Sequence, residues 1–191
     1  SALAKGIALC REVDVDYFVT GNGSNLLVGD GGYRGVIFHI CHTMDHIQYE
    51  EQKGELLVEA GAGVMLSRLA RQVSSMGYTG FEYATGIPGT LGGGVTMNAG
   101  AYGGEMKDVL TEVTVMNAEG DIFTLPTEEL ELGYRTSIIK TAGYIVLEAK
   151  IRLKVDAIYS RTKGRREEGE QTASAEGSGQ STACLLYTSP S

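Results

Sequence analysis

Apolar and polar positions along the chain fall into short helical and strand periods separated by glycine-rich breaks. Leu3, Ile7, Cys10 and Val13 recur at helical spacing, so residues 1–13 read as an amphipathic helix. No capping residue precedes that pattern, and the helix reads as entered part-way. Residues 17–20 predict a short buried strand of β-formers, and residues 35–40 predict a second. Residues 55–60 predict another strand, Gly61 to Gly63 a tight turn, and residues 66–76 a helix burying Leu66, Leu69, Ala70 and Val73. Period-two alternation returns at residues 111–116, 121–125 and 144–153, the first two joined by a hairpin turn at residues 117–120. Residues 127–130 predict a short helix capped by Thr127.

Residues 84–104 interrupt the pattern. They hold eight glycines, and ordering glycine costs more backbone entropy than ordering any other residue. A flexible linker would be poor in apolar residues. This stretch instead carries Ile87, Pro88, Leu91, Val95, Met97 and Tyr102. An ordered loop that brings bare backbone N–H groups close to a bulky anion such as a pyrophosphate accounts for both features. Gly21, Asn22, Gly23, Ser24 and Asn25 form a second glycine-bearing turn. It fails as a dinucleotide fingerprint, because Leu26 stands where a third glycine would open a helix. Two readings remain for it, an anion nest with Ser24 and Asn25 as donors or an ordinary Asn-Gly hairpin turn. Gly61 and Gly63 also lack the third glycine and the acidic residue of that fingerprint, and read as structural.

Composition narrows the function classes. A formal charge of −8 with no basic cluster argues against a nucleic-acid partner. No apolar run is long enough to span a bilayer and no signal peptide is evident, so no membrane role is expected. Cys10, Cys41 and Cys184 form no disulfide framework and suggest a reducing, cytoplasmic setting. His39, Cys41, His42 and His46 match no familiar zinc spacing, and no metal is expected. Arg135, within the Gly133 to Ser137 segment, is either a surface ion-pair residue or an anion-binding one, depending on what faces it.

Four segments in order, namely residues 21–25, 86–89, 98–103 and 133–137, closely resemble those of the UDP-N-acetylenolpyruvoylglucosamine reductase family. The resemblance covers about residues 1–164, and each motif alone is weak. It implies an α+β fold, the two-part FAD-binding domain of the vanillyl-alcohol-oxidase (PCMH) type, with the family's substrate domain missing here. On this resemblance residues 1–52 form the first FAD subdomain, 53–157 the second, and 158–166 the start of the linker to the substrate domain. Residues expected to bind FAD are Gly21, Asn22, Gly23, Ser24, Asn25, Gly86, Ile87, Pro88, Gly89, Gly92, Gly93, Asn98, Ala99, Gly100, Tyr102 and Gly103. Arg135 takes the place of the arginine that holds developing negative charge on the substrate, with Tyr134 shaping the pocket. NADPH is the implied hydride donor and an enolpyruvyl sugar nucleotide the small-molecule substrate; no partner protein is implied.

The chain departs from the family after Arg166. The expected proton-donor serine motif and late glutamate are absent, and residues 167–183 form a Glu/Gly/Ser/Ala/Thr run without apolar periodicity. Residues 184–191 resemble translated sequencing adapter, so 167–191 reads as a disordered or artefactual tail. The chain therefore reads as a fragment cut at both ends, derived from an enzyme and itself inactive. Two alternatives stay open: another FAD-dependent oxidoreductase of the same fold, such as a sugar or lactone oxidase, or a non-catalytic flavin-binding remnant.

Overall fold

The computed structural model describes residues 2–156 of the 191-residue chain. The linker expected at 158–166 and the tail expected at 167–191 lie outside the described residues. In chain order the elements are α1 (Ala2–Glu12), β1 (Tyr17–Thr20), β2 (Val36–His39), β3 (Ile47–Gln52), β4 (Glu55–Gly61), α2 (Leu66–Ser75), β5 (Tyr78–Thr79), α3 (Leu91–Thr96), β6 (Gly100–Ala101), β7 (Gly104–Glu105), β8 (Leu110–Met116), β9 (Ile122–Pro126), α4 (Ile138–Ala142) and β10 (Ile145–Val155).

The largest sheet runs β3-β4-β10-β8-β9, antiparallel throughout, with β5 paired to the end of β10. Alternation buries Leu56, Val58 and Ala60 of β4, Val113 and Val115 of β8, and Ala149, Ile151 and Leu153 of β10. The α2 face expected from the sequence, Leu66, Leu69, Ala70 and Val73, is buried in the same core. Each large aliphatic side chain so buried contributes about 1.5–3 kcal/mol. On the other face Lys150 stands in register between Glu59 and Glu112, its Nζ 3.3 Å and 2.8 Å from their carboxylates. Such a solvated ladder marks the outer surface more than it stabilises it. Pro126 ends β9, the strand at one edge of the sheet, where a missing N–H breaks no central pairing.

A strand, a helix-face residue and a cap behave differently from expectation. β1 is a strand, but it is not buried: it pairs only with β2, and Phe18 remains 40% exposed. A two-stranded sheet has too little cover to bury both faces. Val13 is 56% exposed because α1 stops at Glu12, one residue short of it. Thr127 lies inside a 3₁₀ turn rather than capping it; its Oγ1 donates to the Leu110 carbonyl 2.7 Å away, and extended Pro126 takes the cap position. The β3–β4 hairpin turns at Lys53 and Gly54, both at positive φ, and so straddles the junction placed between 52 and 53.

β1 and β2 run parallel, and a parallel pair cannot be closed by a hairpin. The connection is the long loop from Gly21 to Gly35, which holds the first glycine-bearing turn. In this way the topology turns that motif outward from the end of β1.

Candidate functional site

The glycine-rich stretch folds as a 3₁₀ turn (Glu82–Gly86), then α3, then the β6–β7 hairpin. Three successive glycines are poor helix formers, so α3 was not legible in the sequence. Close packing explains it. A Cβ on Gly92 would sit 2.9 Å from the Ala62 Cβ, and one on Gly94 would sit 2.8 Å from Leu66 Cδ1. The Leu91 and Gly92 N–H groups donate to the Val64 and Ala62 carbonyls at 2.7 Å and 2.9 Å. Part of the run's backbone therefore serves the fold, seated on the turn after β4.

A cavity of about 860 Å³ gathers the remaining motifs, a size suited to a large organic ligand. Gly21, Asn22, Gly23, Ser24 and Asn25 line one part of it; Ile87, Pro88, Gly89, Gly92 and Gly93 another; Asn98, Ala99, Gly100 and Gly103 a third; Tyr134 and Arg135 join them. Gly86 and Tyr102 are not among the lining residues. Gly86 ends the 3₁₀ turn, and Tyr102, 99% exposed, sits at the tip of the β6–β7 hairpin. Other contributors were missed: Val19 and Thr20 at the end of β1, Ile40, Ala62, Leu66, Thr90, Thr96, Glu105, and Tyr144, Ile145 and Val146 at the start of β10. Most are ordinary strand or helix positions that no motif marks.

The first two glycine segments touch. Asn22 Nδ2 donates to the Pro88 carbonyl at 2.7 Å, and a Cβ on Gly21 would overlap Thr90 Oγ1. Glycine at position 21 is thus what lets the loop after β1 close on the residue capping α3. Only Arg135 and Glu105 are charged among the lining residues. An anion lying between the glycine loops meets backbone dipoles there, not lysine or arginine side chains.

Arg135 occupies a two-residue turn, with Gly133 and Thr136 exchanging backbone hydrogen bonds of 3.1 Å and 3.4 Å. Its φ of +53° is left-handed, a conformation that costs a non-glycine residue about 1 kcal/mol. Its guanidinium carbon lies 5.9 Å from the ring centre of Tyr134, which is 90% exposed. Buried Asn98 supports this turn: Nδ2 donates to Glu105 Oε2 (2.6 Å) and to the Gly133 carbonyl (3.2 Å), and Oδ1 accepts from the Lys107 N–H (3.0 Å). Ser137 Oγ donates to the Thr96 carbonyl at 2.7 Å. The Lys107 ammonium, hydrogen-bonded to Glu105, holds that carboxyl below its usual range; partial burial opposes it, and the Asn98 amide adds to the lowering.

Tyr83 is no acid–base candidate at neutral pH. Burial pushes its hydroxyl far above the ordinary range, with the Asp108 and Glu105 charges adding to the effect. The histidines lie away from the lining: His46 Nε2 is 2.7 Å from Glu148 Oε2, and His42 Nδ1 is 3.9 Å from Asp45 Oδ2.

The cavity suits a dinucleotide cofactor by its volume and by the glycines that line it, with Gly21 letting the loop after β1 close against Thr90. Relatives agree. UDP-N-acetylenolpyruvoylglucosamine reductase of Alkaliphilus metalliredigens is 47% identical over 152 residues, 80% of this chain and 49% of that protein. The reductase of the same name from Clostridioides difficile is 44% identical over 148 residues, 78% of this chain and 47% of that protein. The chain spans about half the length of the curated relatives it matches. The crystal structure of UDP-N-acetylenolpyruvylglucosamine reductase from Thermus caldophilus superposes with a TM-score of 0.65 at 33% identity, covering 90% of this chain and 60% of that one. The 6-hydroxy-D-nicotine oxidase of Arthrobacter nicotinovorans, 18% identical, shares the fold with a TM-score of 0.58 over 80% of this chain and 34% of its own. The two-part α+β architecture of the PCMH type is thereby shown. The sequence profile of the FAD binding domain matches residues 1–126, a span holding every glycine segment around the cavity, and the chain belongs to that family.

Proposed function

We propose that this chain is the flavin-binding part of an NADPH-dependent UDP-N-acetylenolpyruvoylglucosamine reductase, which reduces the enolpyruvyl double bond of its sugar nucleotide to give UDP-N-acetylmuramate for peptidoglycan. The observation that carries this reading is one cavity joining the two glycine loops to Arg135. Sequence relatives of that name support it.

FAD, when bound, supplies the two-electron relay between NADPH and the substrate double bond. The chain's own part is to hold and orient. Gly21 to Asn25 faces Pro88 to Thr90, and together they present backbone amide dipoles and the Ser24 and Asn25 side chains to the cofactor's pyrophosphate. Ala99, Gly100 and Gly103 leave space for its flat ring system. Arg135, fixed in its turn, holds the negative charge that builds beside the substrate carboxylate as hydride arrives. A guanidinium already in position stabilises that charge without reorganising, which water cannot do. Tyr134, its ring centre 5.9 Å from the guanidinium carbon, shapes the pocket beside it. The Gly21 to Asn25 turn contains neither Cys nor His, so it offers no tether of the kind by which oxidases of this fold attach their flavin.

The test is anaerobic mixing of the FAD-loaded chain with NADPH, followed by flavin absorbance. Bleaching supports the reductase reading. Flavin that stays oxidised under NADPH leaves a passive cofactor-binding domain and overturns it.

A further inference from the structure

We propose that Asn98 is a positioning residue for Arg135: its side chain clamps the arginine turn to the cofactor-lining loop rather than touching the cofactor. The proposal rests on the reading of Arg135 as the anion-holding group. Asn98 is only 4% exposed, and its amide is fully occupied inside the protein. Both Nδ2 hydrogens are used, one on Glu105 and one on the Gly133 carbonyl, while Oδ1 accepts from Lys107. No side-chain donor is left to offer a ligand. Its own φ of +44° is left-handed, a region asparagine tolerates better than other side chains do.

The turn needs such a clamp. A two-residue turn with a strained arginine persists only when its surroundings hold it. The Gly133 carbonyl, which Asn98 grips, also accepts the Thr136 N–H that closes the turn. On the far side Ser137 is tied to Thr96 at the end of α3. Both anchors come from the segment that lines the cavity, so the arginine turn and the cofactor loop are one mechanical unit. Glu105 supplies the link's polarity, since an ionised carboxylate orients the Asn98 amide so that its second hydrogen faces Gly133.

Asn98→Asp keeps the side chain's size, its tolerance of positive φ and its acceptor for Lys107, but turns oxygen toward Glu105 and Gly133. In the full chain, amide exchange at Thr136 is expected to rise on the order of ten-fold. The Arg135 Nε–H resonance is expected to move, with β8 and β10 amides unchanged and FAD affinity altered less than about three-fold. Adding Glu105→Gln returns a donor to face residue 98 and should recover part of the Thr136 protection and the resonance position. Should Asn98→Asp fail to fold, Asn98→Gly keeps the left-handed backbone, removes only the side chain, and carries the same expectations. Unchanged Thr136 exchange overturns the proposal, and so does a ten-fold loss of FAD affinity with the turn intact. The arginine's own role is judged apart, by Arg135→Ala in an intact reductase carrying this part, read as turnover against flavin binding, so either idea can fail without the other.

Discussion

Gly21 and Arg135 show how single positions carry the site. Replacing Gly21 with alanine drives a methyl group into Thr90 Oγ1, so the loop after β1 must lift from the cap of α3. FAD affinity is expected to fall by ten-fold or more, with stability lower by about 1–3 kcal/mol. Thr90→Ala, which removes the blocking hydroxyl, should restore much of that stability in the double variant; calorimetry beside flavin titration reads both. Arg135 makes the opposite trade. Arg135→Gly relieves left-handed strain and is expected to raise stability by about 0.5–1 kcal/mol while lowering turnover. A melting temperature that drops instead would show that the guanidinium supports the fold. At this scale the glycine-rich stretch was legible, because the apolar residues set among its glycines have no purpose in a flexible linker. Thr90 and Glu105 were not, since nothing in a lone threonine or glutamate announces which loop will fold against it.

The α3 to β7 segment behaves as a unit whose polar links have a definite pH dependence. Glu105 has a lowered pKa in the folded chain, so its contribution is fully present above its usual value of about 4.5 and is lost as pH falls below that. Thr136 exchange, corrected for intrinsic rate, should therefore rise as pH falls below about 4.5, before the amides of β10 respond. Turn and sheet protection falling together would contradict a local link. Ser137→Ala, removing the second anchor, is expected to cost about 1 kcal/mol, with loss of protection concentrated at the turn. Elements followed the sequence unevenly. β4, α2 and β8 to β10 were visible because one face of each packs on the core and its period is clean. β3 was missed: its Gln, Tyr and Glu residues lie at the edge of the sheet, mostly exposed. α3 was missed because packing on Ala62 and Leu66 overrides the poor helix propensity of three glycines.

In the whole molecule a small parallel pair and a larger antiparallel sheet each bring one end to the same cavity: β1 through its last residues, β10 through Tyr144 to Val146. The fold class was legible through the four ordered motifs and the family they resemble, not through the strand and helix periods alone. What converged on the cavity was legible only as ordered motifs, because their meeting depends on the crossover between two parallel strands. On the side of β10 that pairs with β4, the Leu147 carbonyl accepts the Ala62 N–H at 2.9 Å, continuing the β4–β10 register by one pair and holding the turn on which α3 sits. No helix among the described residues is long and apolar enough to cross a membrane. The proposed FAD site is formed by the glycine loops and closed by Gly21 against Thr90. Titration of the chain with FAD, followed by flavin fluorescence, tests it most directly. Saturable one-to-one binding, weakened at least ten-fold by Gly21→Ala, is the predicted result. No saturable binding, or binding indifferent to Gly21→Ala, would contradict it.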